Sequence, residues 1–150
     1  MGNHTYMDTL IRLAQYEDAP SVLRLVHELA SFDHEECTLD LAYVLSYLEK
    51  PGTNILIAQE DQEVVGLVSF WIRPNLYHAG MVCLIEEFIV ESSYRSQGVG
   101  SKLLMEVIRR TREIGCAEIS VSTMTNNEAA VQFYRRHGLI DESLLLEQHF

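Results

Sequence analysis

At 150 residues with 47% hydrophobic side chains, the chain has the size and apolar content of one domain with its own core. Its 11 Lys and Arg against 22 Asp and Glu leave a formal net charge of −11, which repels a phosphate backbone and an anionic membrane surface and attracts small cations. Nucleic acid and membrane are therefore not expected partners, and three scattered cysteines without a Cys-x-x-Cys pair give neither a metal knuckle nor a disulfide framework.

Residues 1–8 are expected to form a flexible N-terminal extension. They hold no basic segment followed by an apolar run, and Tyr6 stands where a myristoylation signal has Ser or Thr, so a cytoplasmic location is expected. Residues 9–15 alternate loosely and predict a first strand. Glu17, Asp18 and Pro20 then mark a helix start, and Val22, Leu25, Val26 and Leu29 recur at helical spacing up to about residue 31. After an acidic link at 33–36, a second helix is predicted from Thr38 as N-cap to the stop at Pro51-Gly52.

The period then changes to that of strands. Segments 54–59 and 64–72 are rich in β-branched and aromatic residues and predict a hairpin, 73–80 a turn, and 81–90 a central strand. A helix is predicted from near Gly98 to Ile114 with Gly115 as its stop, a short strand over 118–122, a helix over 127–137, and a final strand or strand pair over 139–150. The order βααβββαβαβ predicts an α/β fold with a mixed sheet covered by helices on both faces.

Two segments carry chemistry. The run from Ile89 through Arg95-Ser96-Gln97-Gly98-Val99-Gly100-Ser101 joins a strand end, a short turn and a helix start. Free N–H groups at the positive end of a helix dipole bind anions, glycines admit a phosphate close to the backbone, and Arg95 adds a fixed charge. Leu103 occupies the third-glycine position, so this is not a dinucleotide fingerprint. In the second segment, Asn127 can cap a helix on which Tyr134 lies two turns later on nearly the same face.

Arg95-x-x-Gly98-x-Gly100 after a strand ending in Val90, together with Asn127-x-x-Ala130-x-x-Phe133-Tyr134-x-x-x-Gly138, resembles the two signatures of the GNAT superfamily of N-acetyltransferases. Within it, residues 85–90 and 133–136 look most like the spermidine/spermine acetyltransferase group. The resemblance implies acetyl-CoA as cosubstrate and no metal. It places the diphosphate on residues 95–101, the pantetheine arm along Phe88, Ile89 and Val90 with Asn127 and Ala130, and the proton donor to the departing thiolate at Tyr134. It also implies a backbone N–H of that strand as the oxyanion partner, and a homodimer as the assembly.

An alkyl ammonium of pKa about 10.4 must lose a proton before it attacks a thioester. Glu86 and Glu87 are both candidates for the base: strand neighbours point to opposite faces, so one is expected toward the cleft and the other away. Glu86 matches the resemblance better. For the acceptor, Asp33, Glu35 and Glu36 on the link, with Trp71 and His78 around the next turn, are expected at the cleft mouth, where a small cationic amine would bind; a merely solvated acidic loop is the competing reading. Acetylation of a protein N-terminus or lysine, and a sensor that binds acyl-CoA without turnover, stand as the other functions.

Overall fold

The computed structural model describes residues 8–150; residues 1–7, which carry nearly all of the expected extension, lie outside the described residues. Five strands form one sheet in chain order: β1 (Leu10–Leu13), β2 (Thr53–Glu60), β3 (Glu63–Asn75), β4 (Gly80–Val90) and β5 (Glu118–Val121). The first four are antiparallel, and only β4 and β5 run parallel. The helices are α1 (Ala19–Phe32), α2 (Leu41–Leu48), α3 (Val99–Ile114) and α4 (Glu128–Arg136).

Alternation along the strands divides the core in two. Leu56, Ala58, Val65, Val68, Phe70, Cys83 and Ile85 face α3 and α4, where they pack on Val99, Leu103, Leu104, Val107 and Tyr134. Ile55, Ile57, Leu67 and Ile89 face α1 and α2 through Ala19, Val22, Leu25 and Val44. Burying apolar side chains on both faces is the main stabilising term for such a sheet. The mixed α/β architecture with helices on both faces is thus the one the sequence order implies.

Several local expectations change. Asp40, not Thr38, caps α2, because its carboxylate accepts the Tyr43 N–H at 2.8 Å and the helix begins one residue later. β3 continues through Pro74 to Asn75, leaving a shorter turn. Past Trp71 the partner strand β2 has ended, and a proline on such an open edge costs no ladder bond. Residues 139–150 form no strand: their leucines at 144, 145 and 146 are consecutive and exposed, so no alternating face exists to lay beside β5. Among the described residues β5 consequently keeps one unpaired edge.

The entry to α1 is held by an ion pair. Arg12 of β1 reaches the nearly buried Asp18 with both terminal nitrogens, at 2.6 and 2.9 Å, while Asp18 also accepts the Gln15 N–H. No helix among the described residues is long and apolar enough to cross a membrane.

Candidate active site

The site begins with a break in pairing. β4 pairs with β5 from Val82↔Glu118 only as far as Ile85↔Val121, after which β4 runs on to Val90 while the chain beyond Val121 leaves the sheet. Over residues 86–90 the β5-side edge of β4 therefore has no strand partner, and a wedge opens in the sheet.

A β-bulge lies at the mouth of this wedge. Val68 pairs with Phe88 and Phe70 with Ile85, so the single residue Ser69 opposes both Glu86 and Glu87. The extra residue resets the alternation: Ile85 and Phe88 pack on the same core, and Glu86 and Glu87 both turn to the α1/α2 face. This corrects the expectation that the two glutamates face opposite ways. Ser69 holds Glu87 twice, accepting its N–H at 3.0 Å and donating its hydroxyl to the Glu87 carboxylate. Glu86 stays open to solvent, and its pKa is raised by burial of the carboxylate and by the like charge of Glu87, with the Trp71 indole opposing.

Two contributors were not singled out in the sequence, Ser69 and Tyr47. The Tyr47 hydroxyl of α2 is buried without a hydrogen-bond partner among the described residues, and burial followed by the charges of Glu87 and Glu86 pushes its pKa up to about 12. The serine inside an otherwise apolar strand was the visible signal for the first. Tyr47 reads in sequence only as part of an apolar helix face.

On the opposite face, Tyr134 projects from α4 toward the wedge. Asn127 caps this helix by accepting the Ala130 N–H at 3.1 Å. Tyr134 is 8% exposed, stacks edge-on with Phe88 of β4, and makes no hydrogen bond through its hydroxyl to the described residues. Burial pushes its pKa up to about 12, so the phenol is protonated at neutral pH.

The loop from Val90 to α3 supplies the third component. Ser96 and Gly98 take left-handed backbone conformations, with φ of 60° and 85°, on either side of Gln97. The N–H groups of residues 96–101 have no acceptor among the described residues, and the first helical bond runs from Lys102 N–H to Gly98 O at 3.1 Å. Such a concave run of free amides is an anion nest at a helix N-terminus. A Cβ on Gly98 would meet nothing within 4 Å, so the space above it is open. At Gly100 a Cβ would make ordinary contact with Phe133 at 3.6 Å, so packing does not forbid a side chain there.

The substrate-side expectations separate. Trp71 joins Tyr47 and Glu86 on the α1/α2 face. Asp33 and Glu35 are exposed on the link after α1, whose last residue, Phe32, lies against Arg95. His78 stands in the turn at the opposite end of β4 from the bulge, where its Nε2 meets Glu118 at 3.1 Å, so the structure does not bring it to Glu86. A cavity of about 880 Å³ lies between β5, α4 and residues 138–143; Tyr134 lines it and no residue of β4 does. Among the described residues no group of three His, Cys, Asp or Glu side chains is placed to hold a metal ion.

Comparison with known proteins agrees with this geometry. Residues 19–139 match the family described as acetyltransferase (GNAT) family. The chain is 30% identical over 128 residues to an aminoalkylphosphonate N-acetyltransferase of Salmonella typhimurium, covering 85% of this chain and 82% of that protein. It is 26% identical to the thialysine N-epsilon-acetyltransferase of Sus scrofa, covering 88% and 84% respectively. A crystal structure of a protein described as a transcriptional regulator from Bacillus halodurans C-125 superposes with a TM-score of 0.84 at 26% identity, over 95% of this chain and all of that one.

Proposed function

Because the chain belongs to the acetyltransferase (GNAT) family, we propose that it works as one domain that acetylates the primary amine of a small cationic molecule, with acetyl-CoA as donor. The observation that carries this reading is the wedge between β4 and β5, which has free main-chain amides at one end, a carboxylate pair on one face and a buried phenol on the other.

The residues present fit coenzyme A. The amides of 96–101, the open space at Gly98 and the charge of Arg95, unpaired among the described residues, match a diphosphate, and the free edge of β4 at 86–90 offers main-chain partners to an amide-bearing arm. Bound there, acetyl-CoA supplies an acetyl group activated as a thioester. Everything else falls to the chain. Glu86 accepts a proton from the acceptor's ammonium group, directly or through a water, which frees the nitrogen lone pair. Its raised pKa brings it nearer the operating pH than an ordinary carboxylate. Glu87, fixed by Ser69, adds negative charge that attracts the ammonium. Tyr134 holds its proton across the neutral range and donates it at the departing sulfur. A N–H on the free edge of β4 meets the negative charge that develops on the carbonyl oxygen.

The acceptor class rests on charge and on the relatives. Two carboxylates at the wedge in a chain of net charge −11 favour a cation, and the relatives named above act on amines of small molecules. A homodimer is part of the same proposal, supported by the edge of β5 that is unpaired among the described residues and by the exposed Leu144 and Leu146 of the segment after α4; sedimentation of the purified chain at monomer mass would remove it. The activity is tested by following thiol release from acetyl-CoA with a panel of small primary amines, an N-terminal peptide and a lysine peptide. Release stimulated by the small amines is expected. Release with the peptides alone would overturn the acceptor class, and coenzyme binding without any release would leave a sensor.

A further inference from the structure

Arg95 is an exposed cation in a chain of net charge −11, yet among the described residues it makes no salt bridge. An unrestrained guanidinium in such surroundings would fold onto a nearby carboxylate. Three contacts oppose that. The Arg95 Nε–H donates to the Val90 carbonyl at 2.8 Å. The guanidinium carbon lies over the Phe32 ring, 4.6 Å from its centroid. The acid that opens the same loop, Glu91, is already held by Arg24 at 3.2 Å, and Arg24 is itself anchored on the Val64 carbonyl at 2.8 Å.

The chemistry of the group makes this arrangement selective. A guanidinium carries its N–H donors in one plane, so stacking occupies a face and leaves the edge free. With Nε on Val90, the N–H groups of both terminal nitrogens have no acceptor among the described residues, on a side chain that directly precedes the unpartnered amides of 96–101.

We infer that Phe32 is a positioning residue for the donor site: by stacking beneath Arg95 it holds the guanidinium fork ready for the diphosphate of the acyl donor. The inference rests on the proposed placement of coenzyme A and extends it to α1, which carries both Phe32 and Arg24. The helix that packs over the carboxylate face thereby sets the charge geometry of the diphosphate loop. An arginine already ordered in this way loses less rotamer freedom when the anion binds than a free one does.

Calorimetric titration of coenzyme A at low salt tests this with the wild type, Phe32→Leu, Phe32→Tyr, Arg95→Ala and the Phe32→Leu/Arg95→Ala double variant. Phe32 is half exposed, so its variants keep the fold, which thermal unfolding verifies. Phe32→Leu is expected to raise Kd roughly threefold, the scale of an exposed cation–π contact. Phe32→Tyr restores the aromatic face and should bind like the wild type, and the double variant should bind no more weakly than Arg95→Ala alone. Weakening by Arg95→Ala with a silent Phe32→Leu, or additive losses in the double variant, overturns the positioning role and leaves the donor site standing. A wild type that does not bind coenzyme A, or an Arg95→Ala variant that binds it unchanged, overturns the donor-site reading at this residue and the inference with it.

Discussion

Phe88 and Tyr134 meet edge to face, with ring centroids 6.2 Å apart and planes at 76°. The contact joins β4 just beyond its bulge to α4, across the gap left where β5 ends. It fixes the phenol by packing alone, since its hydroxyl makes no hydrogen bond to the described residues. Tyr134→Phe should therefore leave the core and coenzyme A affinity nearly unchanged while lowering turnover by about a hundredfold, the scale of one general acid. Titration and steady-state rates on the same preparation check this, and unchanged turnover removes the role. With a pKa of about 12, Tyr134 should contribute no loss of activity between neutrality and pH 9.

The carboxylate of Glu86 bears on both stability and activity. The Glu86 pKa is raised, so the folded state holds its proton more tightly than the unfolded chain does. The stabilisation this gives is complete below the unfolded value of about 4.5 and is lost as pH rises through the folded value. Glu86→Gln should consequently melt no lower than the wild type at pH 7, and kcat/KM should lose its acid limb. Glu87→Gln removes a like charge and should move that limb to lower pH. A limb that stays in place in both variants would mean that neither carboxylate is the base.

Tyr47→Phe removes a buried hydroxyl that has no hydrogen-bond partner among the described residues. Deleting an unsatisfied polar atom while keeping the ring should leave the melting temperature unchanged or raise it, by up to about 1 kcal/mol of stability. A loss of that size instead would show that the hydroxyl is satisfied in solution. Thermal unfolding at neutral pH decides between them.

Gly98 and Gly100 should separate in their effects. Gly98 sits at φ 85° with open space above it, so Gly98→Ala meets no clash but forces a left-handed alanine, at about 1–2 kcal/mol. Gly100→Ala introduces only ordinary contact within the first turn of α3, where alanine is the better helix former, and should melt at or above the wild-type temperature. Both should weaken coenzyme A binding. Equal stability losses would contradict the backbone assignment.

The sequence was most legible where local chemistry decides structure. Gly98 and Gly115 bound α3 as punctuation residues do, both left-handed, and Asn127 caps α4 through its own side chain. The Arg95-to-Gly100 run could be read because a strand end, a turn and a helix start are all local features. What escaped depends on partners distant in sequence. The common orientation of Glu86 and Glu87 comes from a register shift against Ser69, 17 and 18 residues away, which strand alternation alone cannot reveal. His78 lay near Trp71 in sequence, yet the extension of β3 through Pro74 carries it to the other end of the sheet. Residues 139–150 read as a strand from their leucines, yet with one β-branched residue and no alternation they do not lie along the open edge of β5.

The free amides at the start of α3 are the claim on which the rest depends. Backbone amide chemical shifts recorded by NMR as coenzyme A is added to the full chain test it most directly. Residues 96–101 should show the largest displacements and saturate together with the Arg95 side-chain Nε–H. Saturable binding that leaves those amides at their free positions while others move would place the diphosphate elsewhere and contradict the assignment.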